Sequence, residues 1–111
     1  FCYVSDLIEG IYRLLLSDYS MPVNIGNPHE ISLKDFAEEV LKLTDANVKI
    51  IYKPLPIDDP KQRKPDITKA AAILGWAPTV SRAEGLQKTY AYFKSLPPIE
   101  WTKLPKEFIS K

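Results

Sequence analysis

Apolar residues recur at helical spacing in four stretches of this chain, and two short runs between them have the composition of strands. Leu7, Ile8, Ile11, Leu14 and Leu15 line one face of a first predicted helix, with Ser5 or Asp6 placed to cap it and Ser17 to Ser20 to end it. Pro22 to Gly26 then reads as a short strand broken by Gly26-Asn27-Pro28. Ser32 and Asp35 have the spacing of a capping box, flanked by Ile31 and Phe36 as its staple. Behind it Phe36, Ala37, Val40 and Leu41 form the stripe of a second helix ending near Leu43. Val48 to Tyr52 is β-branched and aromatic, which predicts a second strand leading into a proline-rich loop. A third helix is predicted from Asp66 to Leu74, with Gly75 suited to a left-handed stop. Ser81 and Glu84 cap a fourth, with Leu86, Tyr90 and Phe93 on one face and Pro97-Pro98 as terminator. The predicted fold class is α/β in a helix-rich α+β form, four helices with two short strands over 1–96, followed by an irregular arm over 97–111.

The loop between the second strand and the third helix carries the chemistry. Prolines 54, 56, 60 and 65 fix φ and restrict each preceding residue, so the loop is held extended up to Asp66. Arg63 lies within it. A guanidinium presents a planar fork of donors that matches phosphate oxygens, and free N–H groups at the adjoining helix start would add to the same attraction. The pattern suits a nucleotide diphosphate. Asp66 has two compatible uses, as a helix cap accepting from N–H groups two or three residues on and as an acceptor for ribose hydroxyls, since a carboxylate offers about four acceptor sites.

The words Lys53-Pro-Leu-Pro56, Asp58-Asp-Pro60, Gln62-Arg-Lys-Pro-Asp66 and Leu74-Gly-Trp76 resemble the C-terminal signature of the extended short-chain dehydrogenase/reductase family, in the wording of its UDP-glucuronate-decarboxylating branch. Phe1-Cys-Tyr-Val-Ser-Asp6 resembles the start of the helix that opens that family's substrate lobe, and Val23-Asn-Ile-Gly-Asn-Pro28 its next strand and turn. The resemblance covers the chain to about Leu96. It implies a C-terminal substrate lobe of an enzyme that turns UDP-glucuronate into UDP-xylose and CO2 with NAD. In that chemistry the C4 hydroxyl is oxidised, the β-keto acid loses CO2, and hydride returns to the sugar. The resemblance assigns Arg63 to the UDP diphosphate, Asp66 to the ribose and Tyr3 to a substrate contact, although packing against the first helix is a competing role for Tyr3. No catalytic residue falls within the chain. NAD would be bound by an N-terminal Rossmann half that is absent, since a dinucleotide turn needs closely spaced glycines and these lie at 10, 26, 75 and 85. The chain is therefore expected to be a C-terminal fragment, inactive alone, of an enzyme that is a homodimer when intact. Two alternatives share the observations: an epimerase or dehydratase with the same lobe, and a non-enzymatic helical interaction module.

Composition narrows the picture further. Fifteen basic and fourteen acidic residues give a net charge of +1, too balanced for a general nucleic-acid or membrane surface. The anion site must be local. The 45% hydrophobic and 26% charged content of 111 residues fits one globular domain with a modest core. A single cysteine, Cys2, excludes an internal disulfide framework and favours a reducing compartment, so a cytoplasmic location is expected, with the Golgi lumen as the alternative.

Three further features have ordinary readings. His29 sits alone in a turn, without the companions a metal would need. Lys53 and Lys61 read as solvated charges. Tyr90 and Lys94 have the Tyr-x-x-x-Lys spacing that carries acid/base catalysis in this family, because residues four apart share a helix face. The family's own pair lies upstream, and Tyr90 falls on the apolar stripe with Leu86 and Phe93, so core packing is the expected role.

Overall fold

The computed structural model describes residues 1–58 and 62–97. Asp59, Pro60 and Lys61 of the proline loop, Pro98 and the predicted arm beyond it lie outside the described residues. Four helices are present among the described residues: α1 (Val4–Leu15), α2 (Leu33–Thr44), α3 (Thr68–Leu74) and α4 (Arg82–Ser95). They pack as two pairs, α1 on α3 and α2 on α4.

The first pair is organised around a buried carboxylate. Asp6 Oδ2 accepts the backbone N–H groups of Thr79 at 3.0 Å and Val80 at 2.9 Å, while Oδ1 accepts the Thr79 hydroxyl at 2.9 Å. The Asp6 carbonyl also accepts the indole N–H of Trp76 at 2.9 Å. Asp6 is therefore not the cap of α1. Tyr3 holds the cap position in an extended conformation, with no side-chain bond, because the carboxylate predicted to cap is committed 73 residues along the chain. Trp76 is 2% exposed and Ala70 fully covered, and together they are the buried apolar core.

Gly10 makes that core possible. A Cβ there would come within 3.1 Å of Trp76 Cε2 and 2.6 Å of Ile25 Cγ2, so only glycine lets the indole lie against α1. The covered face of α1 is thus Asp6, Leu7, Gly10 and Leu14. The predicted apolar face is only partly the packed one, since Ile8, Ile11 and Leu15 face outward, Leu15 being 77% exposed. At the far end of α3, Gly75 takes the left-handed stop at φ 57°, as its sequence position predicted. Arg13 reaches across from α1 to cover the same end, donating to the carbonyls of Gly75 at 2.6 Å and Leu74 at 3.3 Å.

The second pair follows the sequence more closely. Ser32 Oγ accepts the Asp35 N–H at 3.0 Å and Ser81 Oγ the Glu84 N–H at 3.2 Å, so both predicted caps form. Phe36 stacks on Phe1, ring centres 3.8 Å apart. Arg82 grips Glu39 with two donors, both at 2.8 Å, tying α4 to α2. That hydrogen bond holds the Glu39 carboxyl below its ordinary range. The predicted stripe of α4 is shorter than expected: Leu86 and Tyr90 are half-buried, but Phe93 is 62% exposed and turns to Tyr92 edge-on at 5.4 Å.

The two predicted strands are absent among the described residues. Pro22 to Gly26 forms no ladder; the Pro22 carbonyl accepts from Lys69 at 3.3 Å, and the Asn24 amide donates to the Asp66 carbonyl at 3.3 Å. Val48 to Tyr52 is likewise unladdered, with Val48, Ile51 and Tyr52 exposed. Strand-like composition favours extended backbone, but a strand exists only where a neighbour completes its hydrogen bonds. No helix among the described residues is long and apolar enough to cross a membrane.

Candidate functional site

The turn at Asn27-Pro28 separates two open concavities. The larger, about 310 Å³, has Pro28 on one wall and Lys64, Pro65, Asp66, Ile67 and Thr68 on the other. The smaller, about 190 Å³, lies between the chain start and α4 and is lined by Tyr3, Asn27, Phe36 and Arg82 among others. The predicted site residues are divided between them. Asp66 lines the larger, with Arg63 exposed in the loop just ahead of it, and Tyr3 lines the smaller.

Ile67, not Asp66, holds the cap position of α3, without a side-chain bond, and Asp66 stands one residue before it. Asp66 Oδ1 accepts the Thr68 N–H at 2.9 Å, and α3 begins at Thr68. Hydrogen bonds from the Thr68 side chain and backbone hold the Asp66 carboxyl below its ordinary range, so it stays ionised and keeps acceptor sites for a ligand. The first N–H of α3, that of Thr68, is thus already taken by Asp66.

Two features brace this wall against the turn. A Cβ on Gly26 would lie 3.1 Å from Pro65 Cγ, so the turn and the loop are in direct contact. Beyond the turn, Glu30 Oε1 accepts the Gln62 amide at 2.5 Å, and its Oε2 lies 4.0 Å from the Lys64 ammonium.

Tyr3 is placed by packing. Its ring lies against Gly85, where a Cβ would stand 3.1 Å from Tyr3 Cδ2, and the Lys88 ammonium sits 5.5 Å from the ring centre. Lys88 is in turn held by Glu84 at 2.7 Å, a hydrogen bond that raises its pKa. Cys2, beside Tyr3, is half-buried; burial, followed by the charge of Asp6, pushes its thiol up. His29 is exposed and its N–H donates to Asn27 Oδ1 at 2.9 Å. Among the described residues no three His, Cys, Asp or Glu side chains gather as a metal site would require. The Lys94 ammonium lies 5.7 Å from the ring centre of Tyr90, on the α4 face shared by residues four apart.

Sequence reasoning missed Asp6, Glu30 and the Glu39–Arg82 pair as organising residues. Each acts on a partner 32 or more positions away, and no local pattern marks such a contact.

No family model matches the chain. UDP-glucuronic acid decarboxylase 6 of Arabidopsis thaliana is 50% identical over 86 residues, which are 78% of this chain and 25% of the relative. UDP-glucuronic acid decarboxylase 1 of Danio rerio is 46% identical over 93 residues, 84% of this chain and 22% of the relative. Among solved structures, UDP-glucuronic acid 4-epimerase from Bacillus cereus, in complex with UDP-glucuronic acid and NAD, is similar with a TM-score of 0.73 and 33% identity, over 85% of this chain and 31% of that one. In sequence and fold, then, the chain is a relative of the extended short-chain dehydrogenase/reductases. Within that family its curated relatives are UDP-glucuronic acid decarboxylases, whose C-terminal region it matches. It spans about a quarter of their length.

Proposed function

We propose that this chain is the substrate lobe of a UDP-glucuronic acid decarboxylase that yields UDP-xylose and CO2, and that Arg63 and Asp66 grip the UDP. The observation that carries this reading is the 50% identity to a decarboxylase over most of the chain, against 33% to the solved epimerase. The concavity beside Asp66 supports the placement of the grip, having an ionised acceptor and the Lys64 cation on one wall, with Arg63 in the loop just ahead of them. Tyr3, across the Asn27-Pro28 turn, contributes by packing that holds the start of α1 on α4.

NAD is implied by the family, and the residues present do not fit it. Gly10 lies under Trp76, Gly85 under Tyr3, Gly26 against Pro65, and Gly75 ends α3, so none belongs to a turn that could cradle a pyrophosphate. No redox step is assigned to these residues. The cofactor belongs in our proposal to the part of the enzyme that this chain does not span. The outward apolar face of α1, with Val4, Ile8, Ile11 and Leu15 exposed, supports a covering partner of that kind. A cytoplasmic homodimer is the proposed setting.

The contribution of this lobe is position. Holding the distant UDP spends binding energy on placing the sugar, where orientation gives large rate gains. The full-length enzyme, given UDP-glucuronic acid and NAD, is expected to release CO2 and form UDP-xylose. Turnover without CO2 would instead favour the epimerase reading, which the fold match also supports. Replacing Arg63 with Ala should raise the KM for UDP-glucuronic acid roughly 10-fold or more, the scale of a lost charged hydrogen bond, with the fold intact. An unchanged KM would remove Arg63 from the grip.

A further inference from the structure

Glu30, two residues past the Pro28 turn, reaches both chain neighbours of Arg63. Its two oxygens are divided, Oε1 accepting from Gln62 at 2.5 Å and Oε2 standing 4.0 Å from the Lys64 ammonium. Along extended backbone successive side chains turn to opposite sides, and Pro65 keeps Lys64 in that region. With Gln62 and Lys64 both drawn to one carboxylate, the alternation of an extended backbone is expected to set the side chain between them on the opposite side.

We infer that Glu30 is a positioning residue for the nucleotide diphosphate, acting through Gln62 and Lys64 to present Arg63 to the phosphates. The inference rests on the assignment of Arg63 proposed above. Glu30 touches no ligand in this arrangement. It joins the two walls of the larger concavity, because it follows the Pro28 turn by two residues and holds the loop that forms the opposite wall. The Gly26 contact with Pro65 and the Asn24 bond to the Asp66 carbonyl brace the same two segments further along.

Charge alone predicts the opposite sign, which makes the role testable. An acid beside Lys64 repels a diphosphate, so a Glu30 that acted only as a charge would weaken UDP binding, and its removal would tighten it. A positioning Glu30 makes its removal weaken binding. UDP affinity by calorimetry, and KM and kcat for UDP-glucuronic acid, should be measured on the full-length enzyme with Glu30→Ala and Glu30→Gln. We expect Glu30→Ala to weaken UDP about three- to tenfold, as an exposed hydrogen bond to a charged group would, with kcat and melting temperature little changed. Glu30→Gln should recover much of the loss, since its amide oxygen still accepts from Gln62. In an Arg63→Ala background, Glu30→Ala should cost nothing more.

UDP binding that is unchanged or tighter in both Glu30 variants overturns the inference. So does a Glu30→Ala loss that persists in full without Arg63. If Arg63→Ala itself leaves UDP affinity intact, the failure belongs to the proposed grip; if Arg63→Ala weakens UDP and Glu30→Ala does not, the grip stands and the positioning role falls.

Discussion

The two ends of this molecule are fastened in different ways. Around Asp6 and Trp76 the polar atoms are buried and satisfied, and three bonds to one carboxylate join α1 to the segment that leads into α4. Around Arg63 and Asp66 the fastenings are exposed: prolines, one bond from the Thr68 N–H to Asp66, and a carboxylate that reaches two loop side chains. Buried bonds are costly to break because a lone donor cannot turn to water, whereas exposed ones exchange with water at little cost. The Asp6 end is built to be rigid, and the Arg63 end to be adjustable.

The sharpest way to break this contrast is at Asp6. Asp6→Ala strands the N–H groups of Thr79 and Val80 and should destabilise the protein by about 3 kcal/mol or more, read from denaturant unfolding. Asp6→Asn should cost clearly less, since its amide oxygen can take both N–H groups while its NH2 donates to the Thr79 hydroxyl. Equal losses would mean that the charge, not the bonding pattern, is what the site needs. Gly10→Ala comes next. Its Cβ would press on Ile25 and Trp76, and an overpacking cost of about 1–3 kcal/mol is expected, with a shift in Trp fluorescence as the indole moves. Unchanged fluorescence and stability would show that Ile25 yields without disturbing Trp76.

The smallest expected effect is at the exposed end. Asp66 has its pKa depressed in the folded state, so its bond to Thr68 favours folding above the ordinary Asp range and is lost as pH falls through the lower folded value. A carboxyl NMR titration should therefore place the Asp66 midpoint below that of a free Asp, and Asp66→Asn should abolish the difference in α3 fraying between neutral and acidic pH. A midpoint at the ordinary value would remove the Asp66–Thr68 bond from the account of this wall.

What the sequence made legible follows the same division by range. The Ser32 and Ser81 caps and the Gly75 stop were readable because each is decided within three or four residues. The packed face of α1 was not, because spacing points to Ile8, Ile11 and Leu15 while the structure buries Asp6 and Gly10. A polar residue and a glycine carry no apolar signal, and their reason for burial is a tryptophan 66 or more positions away. The strands failed for a related reason, since their composition says nothing about whether a neighbour supplies the ladder. Of the candidate site, Arg63 and Asp66 stand in one local word, whereas Glu30, two residues past the Pro28 turn, reaches the loop over 32 positions and carries no local signal.

The Asp6 bond to Thr79 also sets an order of events during synthesis. Its partners are separated by 73 residues, and a chain made at about 5–20 residues per second needs roughly 4–15 s to supply the second after the first. Until then the Asp6 carboxylate has none of the three donors that hold it in the folded chain. The first helix to be made is therefore fastened to the rest of the fold only after the third is complete.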